Sequence, residues 1–138
     1  MSNLADLRAR LPIRGLGKPF FHFDVVGSTN DIALEKARQG VAHGALVIAD
    51  DQTAGRGRAG RVWHSTANSA LTFTLVLRPT VDQAQGTAGL AGLGALAVVK
   101  ALERWAVRAR IKWPNDVLIE RRKVAGILVE TSWKGEDL

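Results

Sequence analysis

Gly55-Arg56-Gly57-Arg58-Ala59-Gly60 fits the spacing Gly-x-Gly-x-x-Gly, and the residues after it separate two kinds of fold. A dinucleotide-binding unit needs a strand, this loop, and then a helix whose N-terminus faces pyrophosphate. Here Arg61-Val62-Trp63-His64-Ser65-Thr66 follows, with no helical periodicity, so that reading fails. A protein-kinase loop fails too, because the chain lacks the His-Arg-Asp and Asp-Phe-Gly segments that hold base and metal. What remains is a glycine-rich loop carrying Arg56, Arg58 and Arg61. Glycines bring backbone N–H groups close to a ligand, and guanidinium forks pair bidentately with phosphate or carboxylate. Such a loop binds an anion. Three like charges with few apolar anchors imply mobility until a ligand orders it; the alternative is a solvent-exposed turn.

Outward from this loop, the pattern mixes hairpins with segregated helices. Leu4 to Leu11 reads as a short helix ended by Pro12, and Phe20 to Val26 as a strand after glycine and proline punctuation. Ser28 and Asp31 form a Ser-x-x-Asp capping box that opens an amphipathic helix to about Gln39, stopped at Gly40. Ala45 to Ala49 reads as a buried strand. Asp50 to Ser69 is the longest irregular stretch, and loops beyond roughly 12 to 15 residues in compact domains are usually functional or disordered.

Ala70 to Leu77 returns to strand, and Ala88 to Val107 is the longest helix. Its three early glycines each cost about 1 kcal/mol of helix propensity against Ala, which close packing on a sheet would offset. Arg110 to Trp113, Val117 to Glu120 and Val124 to Trp133 read as strands, the last two joined by a basic hairpin through Arg121 and Arg122. The expected fold is α+β: a mixed, largely antiparallel sheet with helices packed on it, in one continuous domain.

Composition agrees with a globular domain. The 138 residues are 46% hydrophobic and 23% charged, and no run approaches the roughly 20 apolar residues that span a bilayer. No apolar signal segment opens the chain, so the cytoplasm is the expected compartment. With no cysteine, disulfide staples, thiolate catalysis and sulfur-ligated zinc are excluded. The net charge of +6 suits an anionic partner, either a nucleotide or a nucleic acid; the alternative is a solvated basic surface.

Other segments are ambiguous singly. Ser28-Thr29-Asn30 supplies hydroxyls, an amide and orphan backbone N–H groups at a helix start, where plain capping is the alternative role. Gln52 could read an uncharged amide or urea, or face water. Lys112-Trp113-Pro114-Asn115-Asp116 puts a cation, a proline-fixed corner, an amide and a carboxylate within five residues. Lys123 precedes an apolar run, where an anion could hold it; otherwise it belongs to an exposed Arg-Arg-Lys turn. His22, His43 and His64 are widely spaced without metal-site partners and receive no role, and no Gly-x-Ser-x-Gly nucleophile elbow is present. Trp63 and Trp113 could cover a ligand or belong to a core; Trp105 and Trp133 are expected in the core.

In their order these segments carry a resemblance. Ser28-Thr29-Asn30, then Gln52-Thr53-Ala54-Gly55-Arg56-Gly57-Arg58-Ala59-Gly60-Arg61-Val62-Trp63, then Lys112-Trp113-Pro114-Asn115-Asp116, then Lys123-Val124-Ala125-Gly126-Ile127-Leu128-Val129-Glu130 resemble the catalytic domain of biotin protein ligases. The resemblance spans about Phe21 to Thr131. It implies the class II aminoacyl-tRNA synthetase-like fold of that domain and a two-step reaction, with ATP and biotin as substrates and Mg²⁺. Biotin would be adenylated to biotinyl-5′-AMP, then transferred to a lysine of a biotin carboxyl carrier domain of a carboxylase.

The resemblance assigns Ser28, Thr29, Asn30 and Gln52 to the ureido ring of biotin. It puts Gly55, Arg56, Gly57 and Arg58 in the loop that closes over carboxylate and phosphate, with Gly126 also at the biotin site. Lys123 would bridge carboxylate and α-phosphate, and with Arg58 forms the catalytic pair. Trp63 would lie against adenine. Lys112, Asn115 and Asp116, with Arg56 and Arg58, would meet the nucleotide, and Asp116 is the one candidate Mg²⁺ ligand, with no firm metal site. Neither a helix-turn-helix domain nor the family's later Gly-x-Gly-x-Asn strand and C-terminal β-barrel is seen in the sequence, so a truncated ligase without operator binding is expected. A homodimer stays open and no membrane partner is implied. The competing readings are a lipoate or octanoyl ligase of related fold, a biotin-binding but inactive fragment, and a basic nucleic-acid-binding module.

Overall fold

The computed structural model describes residues 9, 15–66, 69–80, 83 and 89–132. The expected helix at Leu4 to Leu11 therefore lies almost wholly outside the described residues, as does Trp133. The chain divides into two compact units. One runs through Arg56 and includes Arg61–Arg78; the other takes Gly57–Gly60 and Pro79–Thr131.

The first unit begins with a strand, β1 (Phe20–Val26), a helix, α1 (Thr29–Arg38), and a second strand, β2 (Leu46–Gln52). β1 and β2 run parallel, from Phe20↔Leu46 to Val26↔Gln52. β3 (Thr72–Leu75) adds antiparallel to β2, from Leu46↔Leu75 to Ala49↔Thr72. Alternation sets the two faces: Phe21 and Phe23 turn toward Ala33, Ala45, Val47 and Val76, with Ile32, Ala37 and Val41 closing the core. Gly40, at φ +85°, ends the α1 segment in the left-handed region open to glycine.

The second unit packs α2 (Leu90–Glu103) on an antiparallel sheet of β4 (Arg110–Lys112), β5 (Asp116–Ile119) and β6 (Arg122–Gly126). Its core is Ala95, Val99 and Val117, flanked by Val98, Leu102, Ala109, Ala125 and Ile127. A Cβ on Gly92 would lie 2.7 Å from the Trp113 ring, and one on Gly94 would lie 3.1 Å from Ile127. Two of the helix glycines thus admit close neighbours, whereas Gly89 has nothing within 4 Å.

The architecture is α+β, with strands shared between two three-stranded sheets, one mixed and one antiparallel. Several boundaries differ from the sequence expectation. β2 continues to Gln52 rather than ending at Ala49, because parallel pairing with Val25 and Val26 holds the acidic residues Asp50 and Asp51 extended. β3 is shorter than Ala70 to Leu77. β6 starts at Arg122 and ends at Gly126, so among the described residues the expected apolar strand does not continue past Gly126; its partner β5 offers only four residues, with a register shift at Val117/Leu118. Glu120 and Arg121, both at positive φ, make the hairpin turn, and Arg122 and Lys123 belong to the strand. Trp105 is 72% exposed instead of buried. Among the described residues no helix is long and apolar enough to cross a membrane.

Candidate functional site

The parallel pair β1 and β2 brings two chain exits side by side. β1 leads into Ser28, the N-cap of α1, and β2 ends on Gln52. Ser28 and Thr29 are the buried polar residues of the described chain, each under 5% exposed. Buried hydroxyls need partners, and here they have them. The Gln52 Oε1 accepts from the Thr29 backbone N–H at 2.7 Å and from Thr29 Oγ1 at 3.1 Å. Thr74 Oγ1, from β3, lies 2.9 Å from Thr29 Oγ1 and makes a short hydrogen bond to Asn30 Oδ1, its single proton serving the two acceptors. Ser28, Thr29, Asn30 and Gln52 are therefore one connected polar cradle. Because the Gln52 carbonyl oxygen is taken inward, its amide nitrogen is the end left to donate to a ligand.

The loop after Gln52 is tied to the same junction. Thr53 N donates to Val26 O at 2.9 Å and Ala54 N to Gly27 O at 2.8 Å. Trp63 N donates back to Gly55 O at 2.9 Å, and Arg56 bridges Val62, closing the loop at its base. Gly55 is buried, and a Cβ there would sit 2.7 Å from Trp63 O and 2.9 Å from Gln52 Nε2.

Asp31 departs from its expected capping role. Ser28 Oγ accepts from Asn30 N at 3.2 Å, and the Asp31 carboxylate turns to Arg56 in a bidentate fork of 2.9 and 2.7 Å. That hydrogen bond, helped by the charge of Arg56 and opposed by partial burial, holds the Asp31 carboxyl below its ordinary value of 3.8. A flexible loop with mutually repelling arginines was the sequence expectation; Arg56 instead has a carboxylate partner and Arg58 an amide partner.

In the second unit, Arg58 opens a short 3-10 turn that ends at Gly60, and its Nη1 donates to Asn115 Oδ1 at 3.1 Å. Asn115 is itself fixed by Nδ2 donating to Ile127 O at 3.1 Å, while Ile127 N donates to Asn115 O. Asp116 stands opposite Lys112 on β4 and Gly126 on β6. Lys123, on the exposed strand β6 rather than at the mouth of a buried one, places Nζ 2.7 Å from Asp116 Oδ1. That oxygen is sealed from water, and the ammonium is its ion-pair partner without meeting hydrogen-bond geometry. Trp113 is 72% exposed and covers Gly92.

The candidate residues thus fall into two groups. Ser28, Thr29, Asn30, Gln52, Gly55, Arg56 and Trp63 lie in the first unit; Gly57, Arg58, Lys112, Asn115, Asp116, Lys123 and Gly126 lie in the second. Sequence reasoning missed Thr74 and the partnership of Asp31 with Arg56. The alternation of Thr72 and Thr74 in an otherwise apolar strand was the available signal for the first; nothing local signals the second.

The first unit thus carries a neutral cradle of hydroxyls and amides, and the second a cation-bearing hairpin, each within an α+β arrangement. The biotin/lipoate A/B protein ligase family model matches residues 22–137, and the chain belongs to that family. It is 42% identical over 127 residues to the bifunctional ligase/repressor BirA of Bacillus subtilis, covering 91% of this chain and 39% of that protein. With the biotin–[acetyl-CoA-carboxylase] ligase of Paracoccus denitrificans it shares 48% identity over 111 residues, 78% of this chain and 45% of that one. Among solved structures, the Aquifex aeolicus biotin protein ligase in complex with biotin and ATP superposes with a TM-score of 0.60 at 34% identity, covering 83% and 47% of the two chains. The chain spans less than half the length of these relatives.

Proposed function

We propose that the chain is the catalytic segment of an ATP-dependent biotin–protein ligase. The observation that carries this reading is the cradle joining Thr29, Gln52, Thr74 and Asn30, a neutral hydrogen-bonding surface suited to a ureido ring. It is supported by family membership and by relatives named as biotin ligases. A carboxylate oxygen of biotin attacks the α-phosphorus of ATP, the bond to the bridging oxygen breaks, and pyrophosphate leaves with the electron pair. The amine of an acceptor lysine on a biotin carboxyl carrier domain then attacks the mixed anhydride and releases AMP.

Ser28, Thr29, Asn30 and Gln52 hold the ring, with Gly55, Gly57 and Gly126 allowing close approach. Arg56 and Arg58 meet the biotin carboxylate and phosphate, and Lys123 bridges the two reacting anions. Preplaced cations lower the barrier because charge builds on the phosphate oxygens in the transition state. The contacts of Arg58 with Asn115 and of Lys123 with Asp116 hold these cations in defined positions before substrate arrives. Trp63 stacks on adenine, and Lys112, Asn115 and Asp116 orient the triphosphate.

Mg²⁺ bound with ATP would supply charge neutralisation at the phosphates. Asp116 fits such an ion through one oxygen alone, since Oδ1 faces the Lys123 ammonium; magnesium commonly uses one or two carboxylates plus substrate phosphates. The reaction belongs to the cytoplasm, where ATP and carboxylases meet. Calorimetric titration with biotin and with lipoate, alongside biotin-dependent pyrophosphate release from ATP, tests the reading. Biotin should bind and drive release; tight lipoate binding without biotin binding would replace it with the lipoate ligase, and salt-sensitive nucleic-acid binding indifferent to biotin and ATP would replace it with a basic binding module.

A further inference from the structure

His22, Asp24 and Asp50 lie outside the sequence motifs, and the fold brings them together. His22 and Asp24 are two apart on β1, so they share one face, while Phe21 and Phe23, which alternate with them, turn into the core around α1. The register Phe23↔Ala49 and Val25↔Asp51 sets Asp24 level with Asp50 on the parallel neighbour β2. One donor atom from each of the three residues lies within 4.8 Å of the other two, and His22 Nε2 is 3.1 Å from Asp50 Oδ1. Two hydrogen-bonded strands, anchored by the core on their other face, carry all three side chains.

We propose that these three residues form a binding site for a divalent transition-metal ion of the zinc class. An imidazole nitrogen with two carboxylate oxygens is a mixed donor set that suits such ions, whereas magnesium and calcium favour oxygen alone. The three donors surround a point no more than about 2.8 Å from each. Zinc bonds to nitrogen and oxygen are about 2.0 to 2.2 Å long, so side-chain adjustments below an ångström complete the set, with water in the remaining position. The site has a charge argument as well. Two carboxylates on adjacent strands repel, and among the described residues Asp24 has no hydrogen-bonded or ionic partner to offset this; a dication neutralises both. Bound metal would clamp β1 to β2 just upstream of Ser28 and Gln52, the two exits that build the polar cradle.

The metal-free chain should be titrated with zinc chloride and separately with magnesium chloride by calorimetry, with thermal unfolding recorded at each stage. One zinc ion per chain should bind, magnesium should bind more weakly, and zinc should raise the unfolding midpoint. His22→Ala, Asp24→Asn and Asp50→Asn should each weaken zinc by about tenfold or more, the scale of losing a metal-site partner, while His64→Ala leaves it unchanged. Circular dichroism of each metal-free variant reports that the fold is kept, and His22→Asn serves if His22→Ala does not fold. No zinc uptake, uptake unaltered by all three substitutions, or uptake lost in His64→Ala would overturn the proposal. None of these readouts uses biotin or ATP, so failure here is distinct from failure of the ligase reading.

Discussion

Gly55→Ala tests the cradle through a single methyl group. Gly55 does not sit at positive φ, so the backbone accepts alanine, and the obstacle is space alone. The new Cβ would stand 2.7 Å from the Trp63 carbonyl oxygen and 2.9 Å from Gln52 Nε2, closer than such atoms approach. The Trp63 carbonyl is backbone, held by the return hydrogen bond from Trp63 N to Gly55 O, so it yields only if the loop base opens. Gln52 Nε2 can shift, but it shares one amide with the Oε1 that accepts two bonds from Thr29, so the shift strains them. Overpacking of this kind costs about 1 to 3 kcal/mol. Borne by Gln52, that is about a 5- to 150-fold loss of biotin affinity at 1.4 kcal/mol per tenfold. Calorimetry with biotin and thermal unfolding together measure it. Gly27→Ala is the control, because Gly27 lies at the same junction with nothing within 4 Å and no positive φ, and should be near neutral. If Gly55→Ala binds biotin and unfolds like the parent chain, the close packing of loop base against Gln52 is not what shapes the cradle.

Thr74→Val keeps the shape of β3 but removes the hydroxyl that reaches Thr29 Oγ1 and Asn30 Oδ1, so biotin titration should show a loss worth about 0.5 to 1.5 kcal/mol. Lys123→Ala should slow formation of the adenylate by about 10²-fold in single-turnover quench experiments, with biotin affinity changed far less. Arg58→Ala should let the adenylate leak, read as free biotinyl-5′-AMP in a filtrate; unchanged leakage would remove the loop's retaining role. Asp31 has a folded-state pKa below its ordinary 3.8, so its contribution to stability is complete above that pH and disappears as pH falls through the depressed value. Both partners are well exposed, which limits the pair to about 0 to 1 kcal/mol, screened by salt. Asp31→Asn should therefore flatten the acid limb of a stability-against-pH curve slightly, and an unchanged limb would dissociate the pair from stability.

The strand Phe20–Val26 and helix α1 were legible because punctuation, a capping serine and apolar spacing agree within one short stretch. The limits of β2 were not, because Asp50, Asp51 and Gln52 look like loop residues and stay extended only through their parallel partner, more than twenty residues away. The same distance in sequence hid the metal-site candidates: His22 and Asp50 read as isolated until β1 and β2 are laid side by side. Asp31 illustrates competition for one side chain, its carboxylate being drawn from the backbone of its own helix by the stronger charge of Arg56. The cradle itself was partly visible, since Thr29 and Gln52 were both singled out, but the hydroxyl of Thr74 that links Thr29 to Asn30 arrives from a strand chosen by sheet register.

Mass spectrometry of a quenched mixture of this chain with biotin and MgATP, in the absence of any acceptor protein, is the most direct test of the account. If neutral hydrogen-bonding groups seat the ring and cations steady the phosphates, as proposed, biotinyl-5′-AMP should form in proportion to the chain present, with the Lys123→Ala chain lagging far behind. A chain that binds biotin firmly yet forms no adenylate, or forms it equally fast without Lys123, would contradict the catalytic assignment.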